Sequence, residues 1–384
     1  MKGFINCNVY VEGKGVIKTC IGFENGKIAY IGEDPAGIEP LMVLDENQVV
    51  IPGFIDEHIH GAAGCDAMDG SQEALSTIAT AIAGEGTVGF LATTMTQSPE
   101  NISKAMKAVK EYKSGAHSEG AELIGIHLEG PFISKKHVGA QPIEYVAEPK
   151  IEIFQKYNEE SGNAIKIVSM APEVEGAEQL VSYLSQNGVV VSMGHTDAGY
   201  KDVEKAVSLG AKNVTHTFNA QKPLHHREIG TVGSALLFDS LNCELICDTI
   251  HVSVPAIRLV VKNKPHDKLT LITDAMRAKH MPDGESELGG QVVIVKNGEA
   301  RLVDGTLAGS VLKMNDAVKN VVTLCGIAFT DAVDFATINP AVSLGVSDRL
   351  GSIKTGKDAS VAVISRDSFE IAMTVRGGNV VYKA

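Results

Sequence analysis

PGFIDEHIHG, residues 52–61, is a short apolar run that ends abruptly in charged and imidazole side chains. The same figure recurs seven times along the chain: ATTMTQ (92–97), HLEGPF (127–132), SMAPE (169–173), MGHTD (193–197), THTFNA (215–220), CDTIH (247–251) and ITDAM (272–276). Each closes an apolar, β-branched run of strand length. Amphipathic helical stretches stand between them, at Gln72 to Ala83, Glu100 to Tyr112, Ala177 to Gln186 and Tyr200 to Leu209. Strands that alternate with helices build parallel sheets. Eight such units predict an α/β fold, a (β/α)8 TIM-like barrel. A doubly wound sheet is the competing architecture, but no G-x-G-x-x-G follows the first strand.

Outside the alternating region the pattern changes. Residues 1–52 read as short strands joined by tight turns, with Asn25-Gly26 as a hairpin signal. The end of the chain reads the same way: Ala359 to Ile364, Ile371 to Val375, then Gly377-Gly378, then Val380 to Tyr382. The expected organisation is a small discontinuous β-sandwich domain, 1–52 and 346–384, built from both termini. It would flank the barrel over 53–345. QVVIVKNGEARLVD (291–304) reads as an inserted hairpin near 290–303, turning at Asn297-Gly298.

Composition narrows the function. Apolar residues make up 44% and charged residues 21% of the chain, which excludes a disordered protein. The net charge is −13, from 34 basic and 47 acidic residues, so no basic excess exists to neutralise nucleic acid or an anionic membrane. A small anion held by one local Arg or Lys stays open. Six cysteines stand at 7, 20, 65, 243, 247 and 325, with no C-x-x-C pair. Zinc-ribbon and thioredoxin-type readings therefore fail, and the thiols read as buried groups of a reducing compartment. The opening MKGFINCNVYVEGKG has no apolar signal segment, and no 18-residue apolar run exists. The expectation is a cytoplasmic protein that engages neither membrane nor nucleic acid.

The polar residues that close the strands carry the chemistry. They are His58 and His60 on the first strand, Glu129 on the third, His195 on the fifth, His216 on the sixth, His251 on the seventh and Asp274 on the eighth. In a barrel all eight strand ends open on one face, so residues scattered in sequence converge in space. His58 and His60 are two apart and point the same way, about 6.6 Å apart along a strand. Taken singly, each has a plainer reading. H-x-H also describes two solvent-facing histidines, Glu129 alone is a solvated charge, and Asp274 alone is a helix cap. Together they form a cluster of buried polar groups that is costly without a cation.

PGFIDEHIHG, HLEGPF, MGHT, THTFNA, DTIH and TDAMRA together resemble the amidohydrolase superfamily and, within it, the N-acetylglucosamine-6-phosphate deacetylases. The resemblance spans nearly the whole chain, including GTLAGS at 305–310. It implies that Glu129, His195 and His216 hold one metal ion. It implies that His58 and His60 serve a second, with Glu129 bridging. Two divalent ions per chain follow, drawn from zinc, iron, manganese or cobalt. Asp274 is implied as the catalytic acid/base, His251 as a substrate-binding histidine and Leu307 as a wall of the sugar pocket. Asn219 and Ala220 match contacts to the sugar phosphate. His226 and Arg227 match a phosphate grip that the family assembles with a neighbouring subunit, so a homodimer is implied. The plainer reading of Arg227 is a surface ion pair with Glu228.

Three positions depart from the family pattern. Gln141 stands where many members carry a His that polarises the acetyl carbonyl, and its amide can still donate a hydrogen bond. Gln221 stands where Met is usual and Thr249 where Gly is usual. The implied activity is hydrolysis of the N-acetyl amide of N-acetylglucosamine 6-phosphate to glucosamine 6-phosphate and acetate. The galacto epimer is the first alternative. A hydantoinase-like or dihydroorotase-like cyclic-amide hydrolase is disfavoured, because the fourth strand carries its only Lys, Lys166, near its beginning. A deaminase gives no reason for HLEGPF, and a non-catalytic sugar-phosphate sensor would have lost Asp274 or a ligand.

Overall fold

Eight parallel strands follow one another around a barrel in chain order. They are Phe54–Ile59, Thr87–Thr93, Glu122–Glu129, Ile165–Met170, Val190–Met193, Asn213–Val214, Asn242–Ile246 and Leu269–Ile272, called here the first to eighth barrel strands. This computed structural model describes residues 1–384. The first and eighth strands meet at a parallel bridge between Ile59 and Ala275. Asp274 N donates to His58 O at 2.8 Å and His60 N to Ala275 O at 2.9 Å. The seam that closes the barrel is therefore made by strand-end residues.

The first and second strands are buried along their whole length, as strands covered on both faces must be. The helices wrap this sheet for local reasons. Helix Gln72–Ala83 starts at Ser71, whose hydroxyl accepts from Ala74 N at 3.1 Å. Loss of such a cap costs about 1 kcal/mol. Its buried Leu75, Ile78, Ala79 and Ile82 recur at helical spacing. Helix Pro99–Ser114 starts at Ser98 with Pro at its first position and runs slightly beyond the expected span at both ends. A main core of 67 buried residues joins barrel strands to helices.

The termini together make one continuous sheet. In order across it lie Asn379–Lys383, Ile371–Arg376, Val361–Ser365, Gln48–Pro52, Lys2–Val11, Gly15–Glu24 and Lys27–Gly32, with Glu39–Pro40 beside Lys2–Val11. Strand alternation sorts its side chains between two cores. Val361 and Val363 enter a separate 14-residue cluster with Phe4, Val9 and Ile21. Ala362 and Ile364, their neighbours, enter the main core. Residues from both halves of the sheet thus share one core. Tyr10 Oη donates to Asp334 at 2.8 Å and Thr374 Oγ1 to Ala83 O at 2.7 Å, tying the sheet to the barrel's helical layer.

After the eighth strand, Gly284–Leu288, Gln291–Lys296 and Glu299–Leu302 form a three-stranded antiparallel sheet. Asn297 and Gly298 both have positive φ, 53° and 81°, as a two-residue type I′ turn requires. The first of these strands, GESEL, is too polar to be legible as a strand in the sequence. No helix is long and apolar enough to cross a membrane.

Candidate active site

The strand ends converge. Glu129 Oε1 lies 3.1 Å from His195 Nε2 and 3.0 Å from His216 Nε2, and those two nitrogens are 3.2 Å apart. His60 Nε2 lies 3.3 Å from Glu129 Oε2 and 3.2 Å from Asp274 Oδ1. His58 Nε2 lies 3.4 Å from Asp274 Oδ1 and 3.6 Å from Glu129 Oε1. Two lobes result, Glu129/His195/His216 and His58/His60/Asp274, and each could hold an ion. Glu129 Oε1 faces His195, His216 and His58, and its Oε2 faces His60.

These residues fit a metal. Bonds of about 2.0–2.1 Å to one tetrahedral ion put its ligand atoms roughly 3.3–3.4 Å apart. The separations in the first lobe come close to that spacing. His58 Nε2 is fully buried, aimed at two carboxylates, and has no hydrogen-bond partner. The donors are imidazole and carboxylate, which suit several first-row divalent ions.

The electrostatics agree. Burial pushes Glu129 up, yet His58 and the bonds from His195 and His216 outweigh it and hold the carboxyl well below the usual range. Burial also pushes Asp274 up, and His58 and His60 outweigh it, bringing the carboxyl down to about 2. Burial pulls His60 down, and Asp274 and Glu129 outweigh it, lifting the ring to about 10. His58 is likewise lifted well above the imidazole range. A site whose carboxylates stay charged and whose imidazoles favour a proton has a strongly negative field, as a cation site requires.

Backbone conformation aims the side chains. Thirteen non-glycine residues have positive φ, and six of them lie around this mouth: His195 (47°), His216 (30°), Phe218 (86°), Ala220 (49°), Thr249 (68°) and Asp274 (49°). Such conformations cost about 1–3 kcal/mol each and cluster where function requires them. Gly130, directly after Glu129, has φ +68°, and a Cβ there would sit 2.0 Å from Thr96 Oγ1. Only glycine turns the chain so tightly at this point.

A cavity of about 200 Å³ opens beside the two lobes. Gln141, Asn219, Ala220, His251 and Leu307 all line it, together with His60, Glu129, His195, His216 and Asp274. Gln141 is already engaged: its Nε2 donates to Glu129 Oε2 at 2.8 Å and its Oε1 accepts from Thr96 N at 2.6 Å. One N–H remains for a carbonyl in the cavity. His251 Nδ1 pairs with Asp248 Oδ2 at 2.6 Å. Burial pulls this ring down, but Asp248 outweighs it and the net shift is upward.

His226 and Arg227 do not join this set. Both are exposed and neither lines the cavity. Arg227 Nη1 contacts His226 Nε2 at 2.8 Å, and no Arg227–Glu228 ion pair forms. Glu228 instead accepts from Tyr200 N and Gly230 N, which hold its carboxyl low. Gln221 points away from the cavity into its own loop, accepting from Phe218 N and donating to Thr215 O.

Some site residues are not legible in strand-end polarity. Met95, Leu288 and Thr306 line the cavity. Glu244 and His127 lie beneath it, and with His58 they form a third cluster of metal-ligand type. Glu244 sits inside the apolar run CELIC, and a carboxylate within a buried strand is itself the signal.

A model of the Amidohydrolase family matches residues 49–381. The chain is 41% identical over 380 residues to the N-acetylglucosamine-6-phosphate deacetylase of Bacillus subtilis (strain 168), covering 97% of this chain and 95% of that one. It is 37% identical over 332 residues to the N-acetylgalactosamine-6-phosphate deacetylase of Escherichia coli O157:H7, covering 86% and 88%. The crystal structure of N-acetylglucosamine-6-phosphate deacetylase from Thermotoga maritima matches with a TM-score of 0.90 and 33% identity, over the whole of both chains.

Proposed function

The chain belongs to the amidohydrolase family, and from that membership we propose that it is a metal-dependent deacetylase. It hydrolyses the N-acetyl amide of N-acetylglucosamine 6-phosphate to glucosamine 6-phosphate and acetate. The observation that carries this reading is the two-lobed set of Glu129, His195, His216, His58, His60 and Asp274, of which all but the fully buried His58 line one cavity. The names of the relatives supply the substrate, and the gluco epimer is favoured by the higher identity of the Bacillus subtilis protein over the galacto-specific one.

Glu129, His195 and His216 would hold one divalent ion, and His58 and His60 a second with Glu129 shared. A bound ion supplies a Lewis acid that brings the pKa of water toward about 7 and polarises the acetyl carbonyl. The remaining work falls to the chain. Asp274 is held as a carboxylate and, among these groups, is the one most open to the cavity. It takes the proton from the attacking water as general base, then gives it to the departing nitrogen as general acid. The free N–H of Gln141 is placed to donate to the acetyl oxygen. His251, oriented through Asp248, presents its other ring nitrogen to a substrate oxygen.

The exposed His226 and Arg227 serve a different subunit in this reading. They grip the phosphate across a homodimer, for which an Arg fork is well suited. Exposed Leu224 on the same loop supports an interface there.

The test is acetate release from N-acetylglucosamine 6-phosphate on protein of measured metal content, with the unphosphorylated sugar and the galacto 6-phosphate alongside. Fast release that needs both phosphate and metal is expected, with the gluco substrate preferred. No release from any of the three, with metal bound, would overturn the substrate assignment.

A further inference from the structure

Four imidazoles face the two lobes, and each must also place its outer nitrogen. His60 Nδ1 meets Thr93 O at 3.3 Å and His195 Nδ1 meets His137 O at 2.9 Å, both backbone carbonyls. His216 Nδ1 is buried without a partner. His58 differs from all three. Its Nδ1 lies 3.1 Å from Glu244 Oε2, and both side chains are fully buried.

The same oxygen does a second task. Glu244 Oε2 also accepts from the backbone N–H of His216 at 3.3 Å. Glu244 O accepts from Thr217 N at 2.8 Å. One carboxylate oxygen on the seventh strand thus holds a ring from the His58/His60 lobe and the backbone of a residue in the Glu129/His195 lobe. His216 has the lowest φ of the positive-φ residues, 30°, and no side-chain partner of its own beyond the site.

We propose that Glu244 is a positioning residue that fixes the His58 tautomer and strengthens its donor nitrogen, so that it governs occupancy of the His58/His60 lobe. The proposal rests on the metal reading above but not on the substrate. With its proton on Nδ1 and donated to Glu244, His58 leaves a lone pair on Nε2, the atom aimed at Asp274 and Glu129. A carboxylate acceptor also raises the basicity of the opposite nitrogen more than a carbonyl does. His58 alone receives this among the four. The His58/His60 lobe has the longer separations, 3.4 and 3.6 Å at His58, and depends most on such support.

The test is metal affinity by competition with a chelator, read with total metal per chain, on wild type, Glu244→Gln and Glu244→Leu. Zinc alone is the probe, and circular dichroism tracks the fold. Glu244→Gln keeps an acceptor oxygen for both donors without the charge, so it should fold and weaken one of two ions about 10-fold. Glu244→Leu should weaken that ion about 100-fold, leaving one ion per chain. If Glu244→Leu does not fold, Glu244→Gln decides alone. Two ions at wild-type affinity in Glu244→Gln would overturn the proposal. Equal weakening of both ions would also overturn it, since the support would then not be specific to one lobe. No ion bound by the wild-type chain would instead remove the metal reading, a separate failure.

Discussion

Asp274 and Thr249 both sit at strand ends with positive φ, yet their substitution should act in opposite ways. Asp274→Asn keeps volume and removes the carboxylate proposed as proton acceptor. Turnover should fall about 10²–10⁴-fold, the usual worth of a positioned acid/base, while bound metal and circular dichroism stay as in wild type. Wild-type turnover would remove Asp274 from the reaction. Thr249 is β-branched at φ 68°, a conformation that costs such a residue about 1–3 kcal/mol. Glycine relieves that strain and gives back about 0.5–1 kcal/mol in chain entropy. Thr249→Gly should therefore stabilise the protein by about 1 kcal/mol, read as a higher urea midpoint at unchanged slope. A lower midpoint would show that the threonine side chain is needed where it stands. The sequence marks Thr249 as a departure from the family pattern, but only the backbone shows why glycine suits that position. Strand-end polarity makes the site residues legible because a chemical group interrupting an apolar run is a local feature. Gln141 is legible only by resemblance, since nothing in VGAQP says that the amide will meet Glu129.

Among the elements, the turn after helix Gln72–Ala83 and the loop after the eighth strand are locked together by charge. Glu85 forms an ion pair with Lys279 at 2.8 Å and accepts from His280 at 2.7 Å and Met314 N at 2.9 Å, and both Glu85 and Lys279 are fully buried. Removing one member of such a set strands the other, so Glu85→Ala should destabilise by about 3–5 kcal/mol at pH 7. Burial pushes the Glu85 carboxyl up, and Lys279 and His280 outweigh it, so its folded pKa lies below the ordinary value. The stabilisation is then complete above the unfolded carboxylate pKa of about 4.3 and fades as the pH falls through the lower folded value. Urea midpoints of wild type and Glu85→Ala should converge below about pH 4. A gap that holds constant from pH 7 to pH 3 would rule out the ion pair as its source. Helices such as Gln72–Ala83 are legible because caps and apolar spacing are local. The GESEL strand is not, because its pairing with QVVIVK, rather than its own composition, makes it a strand.

For the whole molecule, the barrel is legible from eight repeated strand ends, and both termini announce themselves as β-rich. That the two ends pair into one continuous sheet is not legible, because the choice between one sheet and two is made by pairings hundreds of residues apart, such as Val363 with Val50. The proposed homodimer has a direct consequence for kinetics. Arg227→Ala should raise KM for the phosphorylated sugar about tenfold or more with little change in kcat, since charged hydrogen bonds contribute about 1.5–3 kcal/mol. An unchanged kcat/KM would end the phosphate assignment. Wild-type specific activity should fall on dilution in step with dissociation seen by light scattering. Constant activity in a demonstrably monomeric sample would place the whole site within one chain.

The seam of the barrel runs through the reaction centre, since the last strand closes on the first by bonds at His58, His60, Asp274 and Ala275. Maturation and competence are consequently one event. A chain with only seven strands in place would lack the carboxylate proposed as proton acceptor, Asp274, and would stay silent until the final strand docks. Turnover becomes a gauge of complete assembly. A protein divided within its helical layer and mixed from two fragments would announce the rejoining of its ends by the return of product.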